Sequence, residues 1–250
     1  MSGPRTAVER RQVLVLGVYL ADRENLAEDI ATELGRSRRW EVEQRWVAIG
    51  KAEVPPALAP FTRRRVPSPL PKFVLLNGLL AEADVGRYEF VVFTDDDIRL
   101  PMGFLDTYLE LVGRHGLALA QPARTHQSYI DHPFVEQLDG IDARWTRFVE
   151  IGPLFSVRRD ALGLLAPFDE SSAMGWGYDF AWPVVMERAG LRMGVIDATP
   201  VDHNLRKPVA NYSYDEANRA MKAYLARRPH LQRSEAFSII EAYAPAGERR

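Results

Sequence analysis

The stretch FVVFTDDDIRL, residues 90–100, runs four apolar residues from Phe90 to Phe93 and then sets three carboxylates side by side at Asp95, Asp96 and Asp97. An uninterrupted apolar run of this kind is the pattern of a strand covered on both faces of a parallel sheet. Adjacent like charges repel, so stability alone does not place three of them at the end of such a strand; a bound cation would reverse the cost. If the backbone stays extended, Asp95 and Asp97 turn to one side and can share a divalent ion, while Asp96 points away. Magnesium and manganese favour oxygen ligands, commonly one or two carboxylates completed by phosphate oxygens and water, which implies a phosphate-bearing substrate. The competing reading is a solvated turn that caps a helix starting near Pro101.

Upstream, VLVLGVY at 13–19 is a second apolar run and a second buried strand. Leu26, Ile30 and Leu34 recur at helical spacing over 22–34, with Asp22 as the expected cap and Gly35 as the stop. Residues 41–49 alternate as a strand, with the polar Gln44 on the side of Val42, Trp46 and Ala48. Residues 51–71 hold six prolines and the run Arg63, Arg64, Arg65, and read as an irregular connection. An apolar helix is expected over 72–83, a strand over 88–93, a helix from Pro101 to Gly116, and a short strand over 117–120.

Residues 121–147 are polar and aromatic without a period, a candidate substrate loop. A strand over 148–157 and a helix over 158–165 follow. MGWGYD at 174–179 then leads into a helix over 180–189, with Pro183 in or near its first turn and Asp179 at its mouth. A last strand over 191–198 and an amphipathic helix over 214–228, packed across the core, complete the pattern. Alternating strands and helices define an α/β class with a mainly parallel sheet, read as one domain over 1–250 with flexible ends at 1–11 and 244–250. In such sheets ligands sit beyond the carboxyl ends of the strands, where the acidic triplet falls.

The formal net charge of −2 offers no global attraction for nucleic acid or an anionic membrane. With no cysteine, any metal must be held by oxygen or imidazole nitrogen, which favours Mg2+ or Mn2+. No segment approaches the roughly 20 apolar residues of a membrane span, and the charged start has no signal-peptide block, so a soluble, cytoplasmic protein is expected.

An aspartyl-nucleophile phosphotransferase also uses D-x-D after a strand. Its usual threonine position is Arg99 here, and a whole strand, helix and strand precede the motif. FVVFTDDDI, GWGYDFAW and VIDATPVDH, in this order, instead resemble the GT-A superfamily of glycosyltransferases. LALAQPA at 117–123 and VEIGPLFSVRRDAL at 149–162 resemble a plant and bacterial family of that fold, and the likeness covers roughly residues 88–205.

The resemblance implies a GT-A type, Rossmann-like sheet flanked by helices and metal-dependent transfer of a sugar from a nucleotide-sugar donor to an acceptor hydroxyl. It implies metal ligation by Asp95, Asp97 and His203, with Asp202 as a group that could orient the imidazole. Donor contacts fall on Val18, Tyr19, Asp22, Lys72, Asp95 and Asp96; Arg63, Arg64 and Arg65 either join them at the diphosphate or form a solvated face. Asp179 matches the general base of inverting members, against the alternative of helix capping. Trp176, Gly177 and Tyr178 match the substrate wall, with Gly175 and Gly177 permitting close approach. Glu150 lies in a matching segment without an assigned role. His115, His126, His132 and His230 read as surface histidines. A noncatalytic nucleotide-sugar or glycan-binding module on the same fold is the alternative from another class.

Overall fold

The computed structural model describes residues 10–206 and 213–245. In chain order the strands are β1 (Arg11–Leu20), β2 (Trp40–Ile49), β3 (Thr62–Val66), β4 (Phe90–Thr94), β5 (Leu117–Arg124), β6 (Ala143–Thr146), β7 (Leu154–Arg158), β8 (Arg192–Val201) and β9 (Ile239–Tyr243). They form one sheet in the order β3-β2-β1-β4-β7-β5-β8-β6-β9. The β3-β2-β1-β4 half is parallel throughout, as the two apolar runs at its centre require. β7 enters antiparallel between β4 and β5, β8 runs parallel to β5, and β6 and β9 extend the far edge antiparallel.

Helices cover both faces. α1 (Ala27–Gly35) and α3 (Phe104–Arg114) bury Ile30, Leu34, Phe104 and Tyr108 against one face. α2 (Lys72–Ala81), α4 (Arg159–Leu165) and α5 (Tyr178–Arg188) cover the other, joined by Tyr224 of α6 (Tyr214–Leu225). A four-residue α7 (Arg233–Ala236) precedes β9. The α/β architecture is as expected. The buried Gln44 that interrupts the β2 alternation donates to the Ala31 carbonyl of α1 at 2.7 Å and accepts the Trp46 indole N–H at 3.1 Å. It is a satisfied core amide joining strand and helix, which an apolar pattern cannot reveal.

Several boundaries differ from expectation. α1 starts five residues after Asp22, and Asn25 Oδ1 accepts the Ala27 N–H at its mouth. Asp22 instead accepts the N–H groups of Lys51 and Ala52, closing the β1 and β2 loops on each other. The proline-rich connection contains β3, because a proline-flanked edge strand needs only one row of ladder bonds. The arginines lie on that edge, and Arg64 pairs with Glu82. α3 begins after Gly103, whose φ of 72° turns the chain into the helix, rather than at Pro101.

The candidate loop at 121–147 holds the end of β5 and all of β6. It is pinned by the buried Arg144, which bonds Asp197 at 2.9 and 3.0 Å and the carbonyls of Phe134 and Glu136. Residues 148–153 are irregular and β7 starts only at Leu154. At the amino end, Arg11 already belongs to β1 and pairs with Glu89; residues 10, 244 and 245 lie outside any helix or strand, and the rest of the expected flexible ends, 1–9 and 246–250, lies outside the described residues. No helix among the described residues is long and apolar enough to cross a membrane.

Candidate active site

β1 and β4 run side by side and stop at the same edge of the sheet, so the triplet that follows Thr94 meets the end of β1. Asp96 Oδ2 accepts the Leu20 N–H at 2.7 Å. The Asp95 N–H is held by the Pro153 carbonyl at 2.7 Å. The middle carboxylate therefore turns inward and is only 3% exposed, whereas an extended backbone would have pointed it away. Arg206 reaches this corner from beyond β8: its guanidinium bonds Asp96, lies 3.1 Å from Asp97 Oδ2, and donates to the Glu24 carbonyl at 2.6 Å.

Backbone pairing explains how His203 arrives. Arg99 and Asp202 exchange hydrogen bonds of 2.8 and 3.2 Å, so the chain leaving β8 runs antiparallel to the chain leaving the triplet. His203 Nε2 then stands 3.3 Å from Asp97 Oδ1, while the backbone N–H of His203 donates to Ser128 Oγ at 2.9 Å. Asp202 turns to Asn204 Nδ2 at 3.1 Å instead of orienting the imidazole. Burial pushes Asp96 up to about 6 against the pull of Arg206. Burial also opposes ionisation of Asp97, but His203 and Arg206 outweigh it and hold that carboxyl at about 2.

The expected metal triad is brought together only in part. Asp97 and His203 are adjacent, while Asp95 is ion-paired with Lys72 Nζ at 2.7 Å from the start of α2. Among the described residues, no three His, Asp or Glu side chains form a ready-made metal cluster. Lys72 satisfies the carboxylate that would have supplied the third ligand.

A second polar cluster begins at α5. Gly177, with a φ of 93°, turns the chain into the helix, and Asp179 is its second residue, 8% exposed. Pro183 sits in the second turn, further in than expected, and its missing N–H deprives the Asp179 carbonyl of its usual helical donor. Burial pushes the Asp179 carboxyl up to about 7, with the charge of Glu150 adding to the effect and nearby backbone N–H groups opposing it. Glu150 accepts from Arg124 Nη2 at 2.7 Å at the end of β5, and its own N–H is held by the Gln121 side chain. Residues 150–153 connect the two clusters: Glu150 acts on Asp179, the Ile151 carbonyl lies 3.4 Å from Lys72 Nζ, and the Pro153 carbonyl holds Asp95.

Other expected contacts have structural positions. Tyr178 is 0% exposed, stacks with Trp182, and donates its hydroxyl to the Asp169 carbonyl at 2.5 Å, so its ring belongs to the core. Gly177 faces Met221 and Leu225 of α6, where an added Cβ would stand 3.1 Å from Met221 Cγ. Gly175, at φ of 84°, is packed against Phe73 and Ile151. The glycines thus admit neighbouring side chains. Trp176 is half-buried and meets the Tyr214 ring edge-on at 5.4 Å. Val18 and Tyr19 lie in the core, Tyr19 with its hydroxyl 3.1 Å from Thr62 Oγ1. Arg124 and Arg206 were not singled out in the sequence. Each pairs with a carboxylate far away in the chain, so no local spacing announces it.

No protein-family model and no curated protein matches this sequence. Solved structures do match in shape. GalNAc-T7, solved with UDP, GalNAc and Mn2+, superposes with a TM-score of 0.56 at 10% identity, covering 85% of this chain and 47% of that one. S. aureus TarS 1-349 in complex with UDP-GlcNAc gives 0.56 at 13% identity, over 85% of this chain and 65% of that one. A mycobacterial protein gives 0.52 at 15% identity, over 94% and 84%. The chain spans about half the length of the GalNAc-T7 structure and just under two thirds of the TarS one. The shared α/β architecture is of GT-A type, and in this chain its central strands end at the acidic triplet.

Proposed function

We propose that this protein is a metal-assisted glycosyltransferase that moves a sugar from a nucleotide-sugar donor to an acceptor hydroxyl. The observation that carries this reading is the joining, through residues 150–153, of a carboxylate-and-cation corner to a buried carboxylate whose proton affinity lies near neutrality. The UDP and Mn2+ found with GalNAc-T7 and the UDP-GlcNAc found with TarS agree with it.

Asp97 and His203 fit a divalent ion. Asp97 Oδ1 is buried without a hydrogen bond among the described residues, and an imidazole nitrogen faces it at 3.3 Å. Phosphate oxygens and water would complete the coordination, as is usual for Mn2+ or Mg2+. Such an ion would supply Lewis-acid stabilisation of the departing diphosphate. Lys72 beside Asp95, and Arg206 beside Asp96 and Asp97, add two positive charges to this corner, suited to holding the diphosphate in place.

Asp179 takes the acceptor proton in an inverting transfer. The acceptor oxygen bonds to the anomeric carbon as the bond from that carbon to phosphate breaks, and the electron pair leaves on the nucleoside diphosphate. Burial that raises Asp179 toward neutrality suits it to accept a proton near pH 7. Trp176 offers a flat apolar face beside this helix mouth for the acceptor ring.

The test is release of nucleoside diphosphate from UDP- and GDP-sugars with pooled acceptors and Mn2+ or Mg2+. Metal-dependent release by the wild type, lost in Asp179→Asn with nucleoside diphosphate binding kept, is expected. Normal turnover by Asp179→Asn would refute the base assignment.

A further inference from the structure

We propose that Arg124, Glu150 and Asp179 form a recognition pocket for two neighbouring hydroxyls of a pyranose ring. The inference deepens the transferase reading, on which it rests for the role of Asp179. Arg124 is 2% exposed, Asp179 8% and Glu150 9%, and each leaves one polar atom buried without a hydrogen bond among the described residues: Arg124 Nη1, Asp179 Oδ1 and Glu150 Oε1. Unpaired buried polar atoms are costly, and a native fold rarely gathers three in one place without a partner to satisfy them. Arg124 is bonded to Glu150 at 2.7 Å, and Phe180, next to Asp179, packs on Phe148, two residues before Glu150, with ring centroids 5.7 Å apart, so the three residues gather at one corner, where the Glu150 charge acts on Asp179. The Glu150 side chain is 12% exposed, so the corner borders solvent, although the three atoms themselves are covered.

The chemistry of the free atoms selects the occupant. Two carboxylates repel a phosphate, the guanidinium opposes a metal ion, and an apolar group would leave all three atoms unsatisfied. A hydroxyl both donates and accepts. Two hydroxyls on adjacent ring carbons can donate one O–H each to Glu150 Oε1 and Asp179 Oδ1, and one of their oxygens can accept from Arg124 Nη1. The hydroxyl on Asp179 is then the one placed to lose its proton if the diol belongs to the acceptor. If it belongs to the transferred sugar, the same contacts select the donor.

The test titrates wild type and Glu150→Gln, matched by thermal melting, with UDP and GDP, with UDP-GlcNAc, UDP-galactose, UDP-glucose and GDP-mannose, and with the free monosaccharides with and without UDP. At least one sugar-bearing ligand is expected to gain about tenfold in affinity over the matching nucleoside diphosphate, or a free sugar to bind measurably. Glu150→Gln is expected to lose that gain while binding nucleoside diphosphate as before. A gain on nucleotide sugars places the diol on the donor; a gain on free sugars alone places it on the acceptor. Should Glu150→Gln fail to fold, monodeoxy analogues of the best ligand are titrated against wild type, and the loss of two adjacent hydroxyls, each singly, is expected to remove the gain. An undiminished gain in Glu150→Gln or with every monodeoxy analogue, or no sugar bound at all, overturns the pocket. Glu150-dependent binding of free sugars without any nucleotide binding would instead leave the pocket standing and sink the transferase reading.

Discussion

Replacing Asp179 by asparagine is expected to stop transfer and to stabilise the fold, a pairing that an ordinary helix cap would not produce. The folded carboxyl sits at about 7 against 3.8 for the free group. A raised carboxyl binds its proton more tightly in the folded state, so its stabilisation is complete below about pH 4 and is lost as pH rises through 7. The difference of about 3 pH units corresponds to about 4 kcal/mol withdrawn from the wild type at pH 8. Asparagine carries no charge to bury, so urea unfolding at pH 8 is expected to show Asp179→Asn more stable by up to about 4 kcal/mol, with the gap closing toward pH 4. Activity should move the other way. Only the ionised form takes a proton, so wild-type kcat/KM is expected to rise about tenfold between pH 6 and pH 8. In Asp179→Asn, turnover should fall by about 100-fold or more. An asparagine variant that is no more stable at pH 8, or that keeps the pH inflection, would refute the reasoning.

Gly175→Ala forces a left-handed backbone position on alanine and drives its Cβ into Phe73 and Ile151; denaturant titration is expected to show a loss of about 2–4 kcal/mol. Arg206→Ala removes a cation 3.1 Å from Asp97 Oδ2, so the thermal shift produced by Mn2+ alone should grow, and an unchanged shift would show that arginine and metal do not compete. Asp97 is held at about 2 against 3.8. A depressed carboxyl contributes stability above its unfolded value and loses it as pH falls through the folded one. Asp97→Asn is therefore expected to cost about 2 kcal/mol at pH 7 and roughly half of that at pH 3 by urea unfolding.

What could be read from the chain was whatever lies close together in it. The apolar runs 13–19 and 90–93 became the central parallel pair, and the acidic triplet falls at their common end because parallel strands leave their carboxyl ends on one edge. GWGYD marked the mouth of α5, but its residues divide: Asp179 faces the polar corner, while Tyr178 and the two glycines serve packing against Phe73 and α6. A short motif cannot show which side of a turn each residue takes. The cations were hidden for a different reason. Arg206 meets Asp96 across 110 residues and Arg124 meets Glu150 across 26, and such pairings exist only once the sheet order is set. That order also decided the acidic corner, where Lys72 claims Asp95 and leaves Asp97 with His203.

Calorimetric titration of UDP and GDP into the wild type and Asp97→Asn, with and without Mn2+, bears most directly on the triplet. If a divalent ion bridges Asp97 and His203 to a diphosphate, one nucleotide binds the wild type with Mn2+ and more weakly without it, and Asp97→Asn loses the metal-dependent part. Nucleotide binding that ignores both Mn2+ and the Asp97 substitution would contradict a metal-bridged donor site.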